Sequence, residues 1–368
     1  MNHSIPLTPD AFDPALVQWL IRTKHPDAVV ESVTVVDAAL STDGEQKVST
    51  ARRIALDVHY VAPTQLPSRL IVKVARPGFG DLPLYDNEVN VYTRLGDELP
   101  VRTPRCLGGY RDVEGSSFGL VLEDLRPQGA QFPCVLTPMT AAEVSSLLDQ
   151  LAALHANYWE STRFNSDLRW VHPHISGPLH DLFTHQSGVP MLINWEVQHT
   201  QFKREFVQSV DESPESLLAN VTKAQAHQAR RPQTLLHGDT HIGNTYALPD
   251  GSRGILDWQL AARGFCMHDV TYIIITALSV GDRRSHERDL ITHYRQRLVE
   301  AGVTDAPTTD DLFTEYRIAA AWCFYIGWLS TPLENYGWEI SVANHIRLAT
   351  AYRDLDTKAA IAALPDLT

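Results

Sequence analysis

The sequence predicts an α+β protein whose N-terminal third is rich in strands and whose remainder is mainly helical. Three short apolar runs, VESVTVVDAAL, RRIALDVHYVA and RLIVKVARP, are separated by polar or proline-containing segments, which is the pattern of antiparallel strands. From LTPMTAAEVSSLLDQLAALHANYW onward, apolar residues recur at helical spacing. The change falls near EDLRPQGAQFP, where proline and glycine interrupt both patterns. We therefore expect one lobe over residues 1–124 and a second, larger lobe over residues 125–368.

Caps and spacing predict the remaining elements. The segment LTPDAFDPALVQWLIRTK predicts an N-terminal helix capped by Thr8 before Pro9. LYDNEVNVYTRLGDEL predicts a helix after the third strand, and SFGLVLEDL predicts another strand. Thr140, with Glu143 three residues later, predicts the start of a long helix. A short β-like stretch at 234–258 is the exception within the helical part.

The composition argues against several classes of protein. Of 368 residues, 44% are hydrophobic and 20% are charged, which is typical of a folded chain with sizeable cores. A formal net charge of −13 and scattered Lys and Arg residues disfavour binding to nucleic acid or anionic membranes. Four well-separated cysteines without a CxxC pair fit a reduced compartment. No signal-peptide pattern or membrane-length apolar run is present, so we expect a cytoplasmic protein.

A dense polar loop, LLHGDTHIGNTY at 235–246, is the main chemical signal. It contains Asp239 and Asn244, and thirteen residues after Asn244 the apolar run GIL ends at Asp257. Two carboxylates and an amide are the set that phosphoryl transfer needs. One carboxylate orients and deprotonates the attacking hydroxyl, while the amide and the second carboxylate hold Mg²⁺ on the nucleotide phosphates.

Two other interpretations of this loop remain open. Asp239 and Asn244 are frequent turn residues and could serve only to close a turn. His237, Asp239 and His241 also have a spacing that could bind zinc. A zinc site needs a further strong ligand, and His268–Asp269 is the only candidate.

Lys73 is unusual because it lies in the middle of the apolar run LIVKV. A lysine is rarely buried without a partner. Glu88, fifteen residues later at the start of a predicted helix, could provide that partner. A strand lysine held by a helix glutamate is the arrangement that protein kinases use to bind nucleotide phosphates. The alternative is an edge-strand lysine that points to solvent.

These residues together indicate a family. The sequence resembles the aminoglycoside phosphotransferase and choline kinase superfamily, which are small-molecule kinases with a bilobal protein-kinase-like fold. HGDTHIGN and ILDWQ match the family pattern HGDxxxxN followed by an I-D-[WF] strand. LAALHANYW at 151–159 and HDVTYI at 268–273 also fit, and the resemblance covers roughly residues 30–350.

The resemblance implies an ATP- and Mg²⁺-dependent enzyme that phosphorylates a hydroxyl of a small molecule. It implies a nucleotide-binding N-terminal lobe, and a C-terminal lobe that carries the catalytic residues and binds the acceptor. Asp239 would be the catalytic base, and Asn244 and Asp257 would be the magnesium ligands. Lys73 would bind the α- and β-phosphates while Glu88 holds it.

Further roles also follow from the resemblance. The strand GLVLEDL would be the hinge, where the backbone near Glu123 and Leu125 meets the adenine. Asp269 would support the catalytic loop, although a helix N-cap is equally compatible with its position. Backbone amides around Ser41, Thr42 and Gly44 would cradle phosphate.

The chain departs from the family pattern at three places. The nucleotide loop contains a single glycine, Gly44, where such families often carry two or more. Gln259 follows Asp257 and Trp258, and this DWQ tripeptide is more similar to the ecdysteroid-kinase-like and uncharacterised bacterial branches than to aminoglycoside resistance enzymes. His241 has no fixed family role, and we expect it to make a loop-stabilising hydrogen bond.

The acceptor site is expected in the aromatic segment RIAAAWCFYIGWLSTPLENYGWEI. Trp322, Tyr325 and Trp328 are the candidate acceptor residues, although aromatic residues at helical spacing also fill protein cores. The segment contains only two glutamates, Glu334 and Glu339, which disfavours a polycationic aminoglycoside. We expect a hydroxylated, fairly apolar metabolite or antibiotic. The alternatives are a resistance kinase of the aminoglycoside or macrolide type, and a catalytically silent ligand-binding protein.

Overall fold

A computed structural model of the chain describes residues 5, 11–37, 51–76, 82–114 and 116–365. The predicted phosphate-loop residues Ser41, Thr42 and Gly44 lie outside the described residues, as does the predicted helix cap Thr8. The roles of Ser41, Thr42 and Gly44 stay predictions.

Five antiparallel strands form the sheet of the N-terminal part. In chain order they are β1 (Val30–Asp37), β2 (Ala51–Tyr60), β3 (Arg69–Ala75), β4 (Cys106–Asp112) and β5 (Ser117–Glu123). Their spatial order is β1-β2-β3-β5-β4, so β3, which carries Lys73, lies at the centre. The three strands predicted from the apolar runs and the strand in SFGLVLEDL are confirmed. The strand β4 was not predicted, because its sequence CLGGYRD has two glycines and little alternation.

Within the described part of this region, two helices accompany the sheet: α1 (Pro14–Ile21) and α2 (Leu84–Asn90), which continues as a π-helical turn over Val91–Leu95. The predicted N-terminal helix forms, but Asp13 caps it, accepting a hydrogen bond from Leu16 N at 2.8 Å. Thr8 is therefore the wrong cap. Pro14 explains the late start, because proline fits the first helical position, where no N–H is needed.

The two faces of the sheet meet different partners. Side chains alternate along a strand, so Ile54, Val72 and Val74 share one face and pack with Val17 of α1. The opposite face carries Ala51 and Leu120 and packs with α2. Lys73 projects on this second face, toward α2 and the helical part of the chain.

The rest of the chain is mainly helical, which confirms the α+β prediction. Its helices are α3 (Ala141–Asn157), α4 (Pro178–Thr184), α5 (Val189–His199), α6 (Gln201–Ser209), α7 (Pro214–Gln228), α8 (Met267–Ala277), α9 (Val280–Glu300), α10 (Thr309–Ile326), α11 (Leu333–Asp354) and α12 (Thr357–Ala362). Thr140 and Glu143 form the predicted capping box at the start of α3. Among the described residues, no helix has the length and apolar character that crossing a membrane requires.

Four short strands position the polar loop. They are β6 (Thr234–Leu236), β7 (Thr245–Ala247), β8 (Arg253–Ile255) and β9 (Ala262–Gly264). The strand β6 pairs with β9, and β7 pairs with β8, both antiparallel. Residues 237–244 and 256–261 are therefore held side by side. This confirms the predicted β-like stretch and extends it to residue 264.

Candidate active site

A buried aspartate of α8 fixes the backbone of the polar loop. Asp269 accepts hydrogen bonds from His237 N at 2.7 Å and from Gly238 N at 2.9 Å, and its own carbonyl accepts one from Thr240 Oγ1 at 2.7 Å. The cap residue of α8 is Cys266, so the N-cap interpretation of Asp269 is wrong. The aspartate instead stabilises the loop through hydrogen bonds with its residues 237, 238 and 240.

Asn244 connects the end of the loop to Asp239. Its Nδ2 donates to the Asp239 carbonyl at 2.8 Å and to Asp239 Oδ2 at 3.0 Å. Since an amide carries its donors on one atom and its acceptor on the other, Oδ1 of Asn244 faces away from Asp239. The Asp239 side chain is 26% exposed, so solvent and ligands can reach its carboxylate.

The two loop histidines form hydrogen bonds with backbone groups. His237 is fully buried, its Nδ1 accepts from Asp239 N at 3.2 Å, and its Nε2 donates to the Leu256 carbonyl at 3.0 Å. Burial lowers the pKa of His237, which fits this neutral tautomer. His241 Nδ1 accepts from Gly243 N at 3.1 Å, which is the expected loop-stabilising hydrogen bond.

This geometry contradicts the zinc interpretation. Both ring nitrogens of His237 are engaged by backbone groups, and His268 Nε2 contacts the Gly238 carbonyl at 3.1 Å. Across the part of the chain that the structure describes, no group of three or more His, Cys, Asp or Glu side chains is arranged to hold a metal ion.

Lys73 of the sheet contacts one carboxylate from α2 and one from the segment after β8. Its Nζ contacts Glu88 Oε1 of α2 and lies 3.4 Å from Asp257 Oδ2, and only 6% of the residue is exposed. The alternative interpretation, an edge-strand lysine that points to solvent, is therefore wrong, because Lys73 is buried in the central strand. Burial raises the pKa of Glu88 to about 7, an effect that the Lys73 charge partly offsets.

Asp257 has an unusual backbone. Its φ of 70° lies in the left-handed region, which is uncommon for a residue other than glycine. Burial alone would raise the pKa of this carboxyl, but the charges of Lys73 and then Arg53 lower it. A strained backbone thus carries an ionised carboxylate, 30% exposed, that lies beside Lys73.

The sequence did not reveal three further hydrogen bonds of this site. Gln259 Nε2 donates to Glu88 Oε2 at 3.3 Å, and Asn87 Nδ2 donates to the carbonyls of Gln259 at 3.3 Å and Ala261 at 2.9 Å. Gln259 thus binds Glu88, and Glu88 in turn contacts Lys73. In the sequence, Gln259 stood out only as a departure from the family pattern. Its partner Glu88 lies 171 positions away, so this contact could not be deduced.

The predicted hinge lies at the end of β5. Glu123 N donates to the Arg105 carbonyl at 2.9 Å, and the Leu125 carbonyl accepts from Gln128 N at 3.0 Å and Ala130 N at 3.3 Å. Among the described residues, no backbone acceptor takes the Leu125 N–H. Leu125 itself is buried.

The three candidate acceptor residues have different surroundings. Trp322 packs against His174, His268 and Phe183, and the buried Tyr325 donates its hydroxyl to the Phe183 carbonyl at 3.2 Å.

Trp328 packs against a histidine of the polar loop. Its ring lies 5.9 Å from the ring of His241, whose Nε2 is 3.9 Å from Asp239 Oδ2. Tyr336 packs edge-on against Trp328 at 4.5 Å. Trp328 is therefore connected to Asp239 through His241.

The fold and the site together define a class of protein. A buried lysine–glutamate pair in an antiparallel sheet, facing an Asp–Asn loop and a second aspartate of a mainly helical part, is the arrangement of kinase-like phosphotransferases. The chain belongs to the Phosphotransferase enzyme family, whose model matches residues 57–303, more than half of the chain.

Solved structures of several phosphotransferases are similar in shape. A choline kinase from Streptococcus pneumoniae is 13% identical, with a TM-score of 0.48 over 92% of this chain and 98% of that chain. An aminoglycoside phosphotransferase from Streptomyces rimosus is 15% identical, with a TM-score of 0.46 over 84% and 98%. A macrolide 2'-phosphotransferase of type I is 14% identical, with a TM-score of 0.44 over 91% and 96%. No curated protein matches this chain in sequence. The branch within the superfamily stays a prediction.

Proposed function

We propose that this protein transfers the terminal phosphoryl group of ATP to a hydroxyl of a small molecule. One observation carries the proposal. Lys73 of the sheet contacts Glu88 and Asp257, while Asn244 contacts Asp239 on the neighbouring loop. Leu256 N, next to Asp257, donates to the Asn244 carbonyl at 2.9 Å, so the two groups of side chains lie on adjacent segments. This proximity supports a site for a nucleotide and an acceptor between the sheet and the loop.

Asp239 is the proposed catalytic base. Its carboxylate is exposed enough to accept a proton from an acceptor hydroxyl, and the bond from Asn244 holds one oxygen in place. As the hydroxyl proton passes to Asp239, the acceptor oxygen bonds to the terminal phosphorus. The bond from that phosphorus to the β–γ bridging oxygen breaks, and ADP leaves.

Asn244 and Asp257 are the proposed magnesium ligands. The amide Oδ1 that faces away from Asp239 and the ionised Asp257 carboxylate are both hard oxygen donors, which suit Mg²⁺. When bound, the metal would neutralise charge on the phosphates. The carboxylate remains ionised because Lys73 is beside it.

The nucleotide is proposed to bind between the sheet and the loop. Lys73, fixed by Glu88, would contact the α- and β-phosphates. The Leu125 N–H is suited to donate to the adenine, and the backbone at Glu123 would face the same edge. The contacts predicted for Ser41, Thr42 and Gly44 remain part of the proposal.

The acceptor is proposed to bind beside Trp328. This ring lies near His241 and therefore near the base, and together with Tyr336 it offers an apolar wall. Trp322 and Tyr325 stay candidates, and all three candidate residues are buried in the helical core. A hydroxylated, fairly apolar molecule suits this wall better than a polycationic sugar.

The test is ADP release from Mg-ATP in the presence of a panel of hydroxylated metabolites and antibiotics. We expect an apolar alcohol to stimulate ADP release, and Asp239→Asn to lower kcat roughly 10²–10⁴-fold because it removes the base. The variant should still bind nucleotide. Stimulation by aminoglycosides alone would favour the resistance-kinase alternative.

The same variant separates the enzyme from a catalytically silent ligand-binding protein. If the wild-type protein binds Mg-ATP but Asp239→Asn changes no turnover with any compound of the panel, the silent alternative gains support. The filled positions Lys73, Asp239, Asn244 and Asp257 favour the enzyme.

A further inference from the structure

We propose that Arg53 binds the phosphate chain of the nucleotide as a second cation beside Lys73. The inference rests on the proposed function, because it assumes that the cleft binds a nucleoside triphosphate. Neither the sequence motifs nor the family resemblance pointed to this residue.

The register of the sheet places Arg53 next to Lys73. The strands β2 and β3 are antiparallel, and Arg53 is the direct partner of Lys73 across them. Directly opposed residues of an antiparallel pair project from the same face of the sheet with neighbouring Cβ atoms. Lys73 reaches Glu88 of α2 and Asp257, so Arg53 projects from the α2 face of the sheet as well.

The packing of β2 supports this orientation. Ala51, two residues before Arg53, packs on the α2 face of the sheet. Ile54, the next residue, packs on the α1 face. Arg52 shares the α1 face with Ile54 and is the partner of Val74, not of Lys73. The two adjacent arginines therefore point to opposite sides of the sheet.

The charge of Arg53 acts on the aromatic wall beside Trp328. Burial raises the pKa of Tyr336 to about 12, and Arg53 opposes that rise. Arg53 therefore lies within electrostatic range of Tyr336, in agreement with its orientation in the sheet.

The charges around Lys73 favour a second cation. Lys73 is shared between the two carboxylates of Glu88 and Asp257, so its single positive charge is already partnered. A guanidinium adds a positive charge, and its forked donors match the geometry of phosphate oxygens.

The test compares Arg53→Gln with Arg52→Gln, a matched variant of the neighbouring arginine on the opposite face. Binding of Mg-ATP and of adenosine, which has no phosphates, is measured by calorimetry on the full chain. GTP and guanosine replace them if the wild-type protein prefers that base. We expect Arg53→Gln to weaken Mg-ATP binding about tenfold through a lost charge-assisted contact, with adenosine binding unchanged. Arg52→Gln should change neither, and Arg53→Lys should recover part of the loss.

Several outcomes would overturn the inference. Equal Mg-ATP affinities of the two Gln variants would do so, and so would a parallel loss of ATP and adenosine binding, which indicates a disturbed sheet. Lys73→Met separates this inference from the proposed function. If Lys73→Met weakens Mg-ATP binding and Arg53→Gln does not, only the inference fails. A wild-type protein that binds no nucleoside triphosphate would refute both.

Discussion

At the scale of single residues, Asp269 shows how the loop is organised from within the core. Its carboxylate accepts from two backbone N–H groups and contacts His155 Nε2 at 3.2 Å, while His155 Nδ1 contacts the Tyr294 hydroxyl at 2.7 Å. Burial alone would raise the pKa of Asp269, but the hydrogen bond and the charge of His155 lower it to about 2. The loop that carries Asp239 therefore depends on a buried, ionised carboxylate.

We expect Asp269→Asn to lower the free energy of unfolding by about 2–4 kcal/mol, because the amide NH₂ leaves one buried backbone N–H without an acceptor. Urea unfolding at neutral pH measures the change. Asp289→Asn, at an exposed position of α9, is the control and should have little effect. Equal stability of the two variants would contradict the supporting role of Asp269.

The stabilisation by Asp269 should also depend on pH. The pKa is about 2 in the folded protein, against an ordinary value of 3.8. An acid with a lowered pKa contributes its stability fully above its unfolded pKa and loses it as the pH falls toward the folded value. The difference in unfolding free energy between wild type and Asp269→Asn should therefore shrink between pH 5 and pH 2. A difference that stays constant over this range would show that Asp269 is not ionised in the folded protein.

At the scale of elements, the position of α2 decides whether Lys73 is held. Asn87 and Glu88 are consecutive in this helix, and both are bound to the segment that follows Asp257. The helix is therefore tied to residues 259–261 by side-chain hydrogen bonds. A shift of α2 would release Glu88 and leave Lys73 with Asp257 alone.

We expect Asn87→Ala to raise the KM for ATP several-fold, because two hydrogen bonds that anchor α2 are lost at a cost of about 1–3 kcal/mol. Steady-state kinetics at saturating acceptor measures the change, and kcat should fall less. Asn90→Ala is the matched control, since Asn90 ends the same helix and makes no side-chain cap hydrogen bond. An equal effect of both variants would mean that the helix propensity of α2, and not its attachment to residues 259–261, controls ATP binding.

At the scale of the whole molecule, the segment around Asp257 connects the N-terminal sheet region to the helical part. Ile255 N donates to the Arg102 carbonyl at 2.9 Å, and Trp258 Nε1 donates to Thr103 Oγ1 at 3.2 Å. Trp258 is fully buried between the two parts. A ligand that contacts both Lys73 and Asp257 should therefore stabilise the entire fold.

We expect Mg-ATP at a hundredfold excess over its Kd to raise the unfolding free energy by about 2.7 kcal/mol through ligand linkage. Differential scanning calorimetry measures the corresponding rise in Tm. Chelation of Mg²⁺ should reduce the rise, and Asp257→Asn should make the protein insensitive to that chelation. A rise that is the same with adenosine as with Mg-ATP would argue against phosphate binding at this site.

The sequence by itself indicated the family and much of the local structure. The apolar alternation of the first strands, the Thr140 capping box and the order Lys73, Glu88, Asp239, Asn244, Asp257 could be deduced because propensity, caps and residue types are local properties. They indicated the α+β class and the phosphotransferase family, both of which are confirmed. The division at residue 124 and the roles of the individual residues stay predictions.

Only the tertiary structure decided between alternatives that were locally equivalent. Nδ1 and Nε2 of His237 could have bound zinc until their backbone partners were known, one of them 19 residues away. Gln259 meets Glu88 across 171 positions, and Arg53 joins Lys73 through the register of two strands. No local periodicity encodes such contacts, since they exist only once the chain has folded and brought distant segments together.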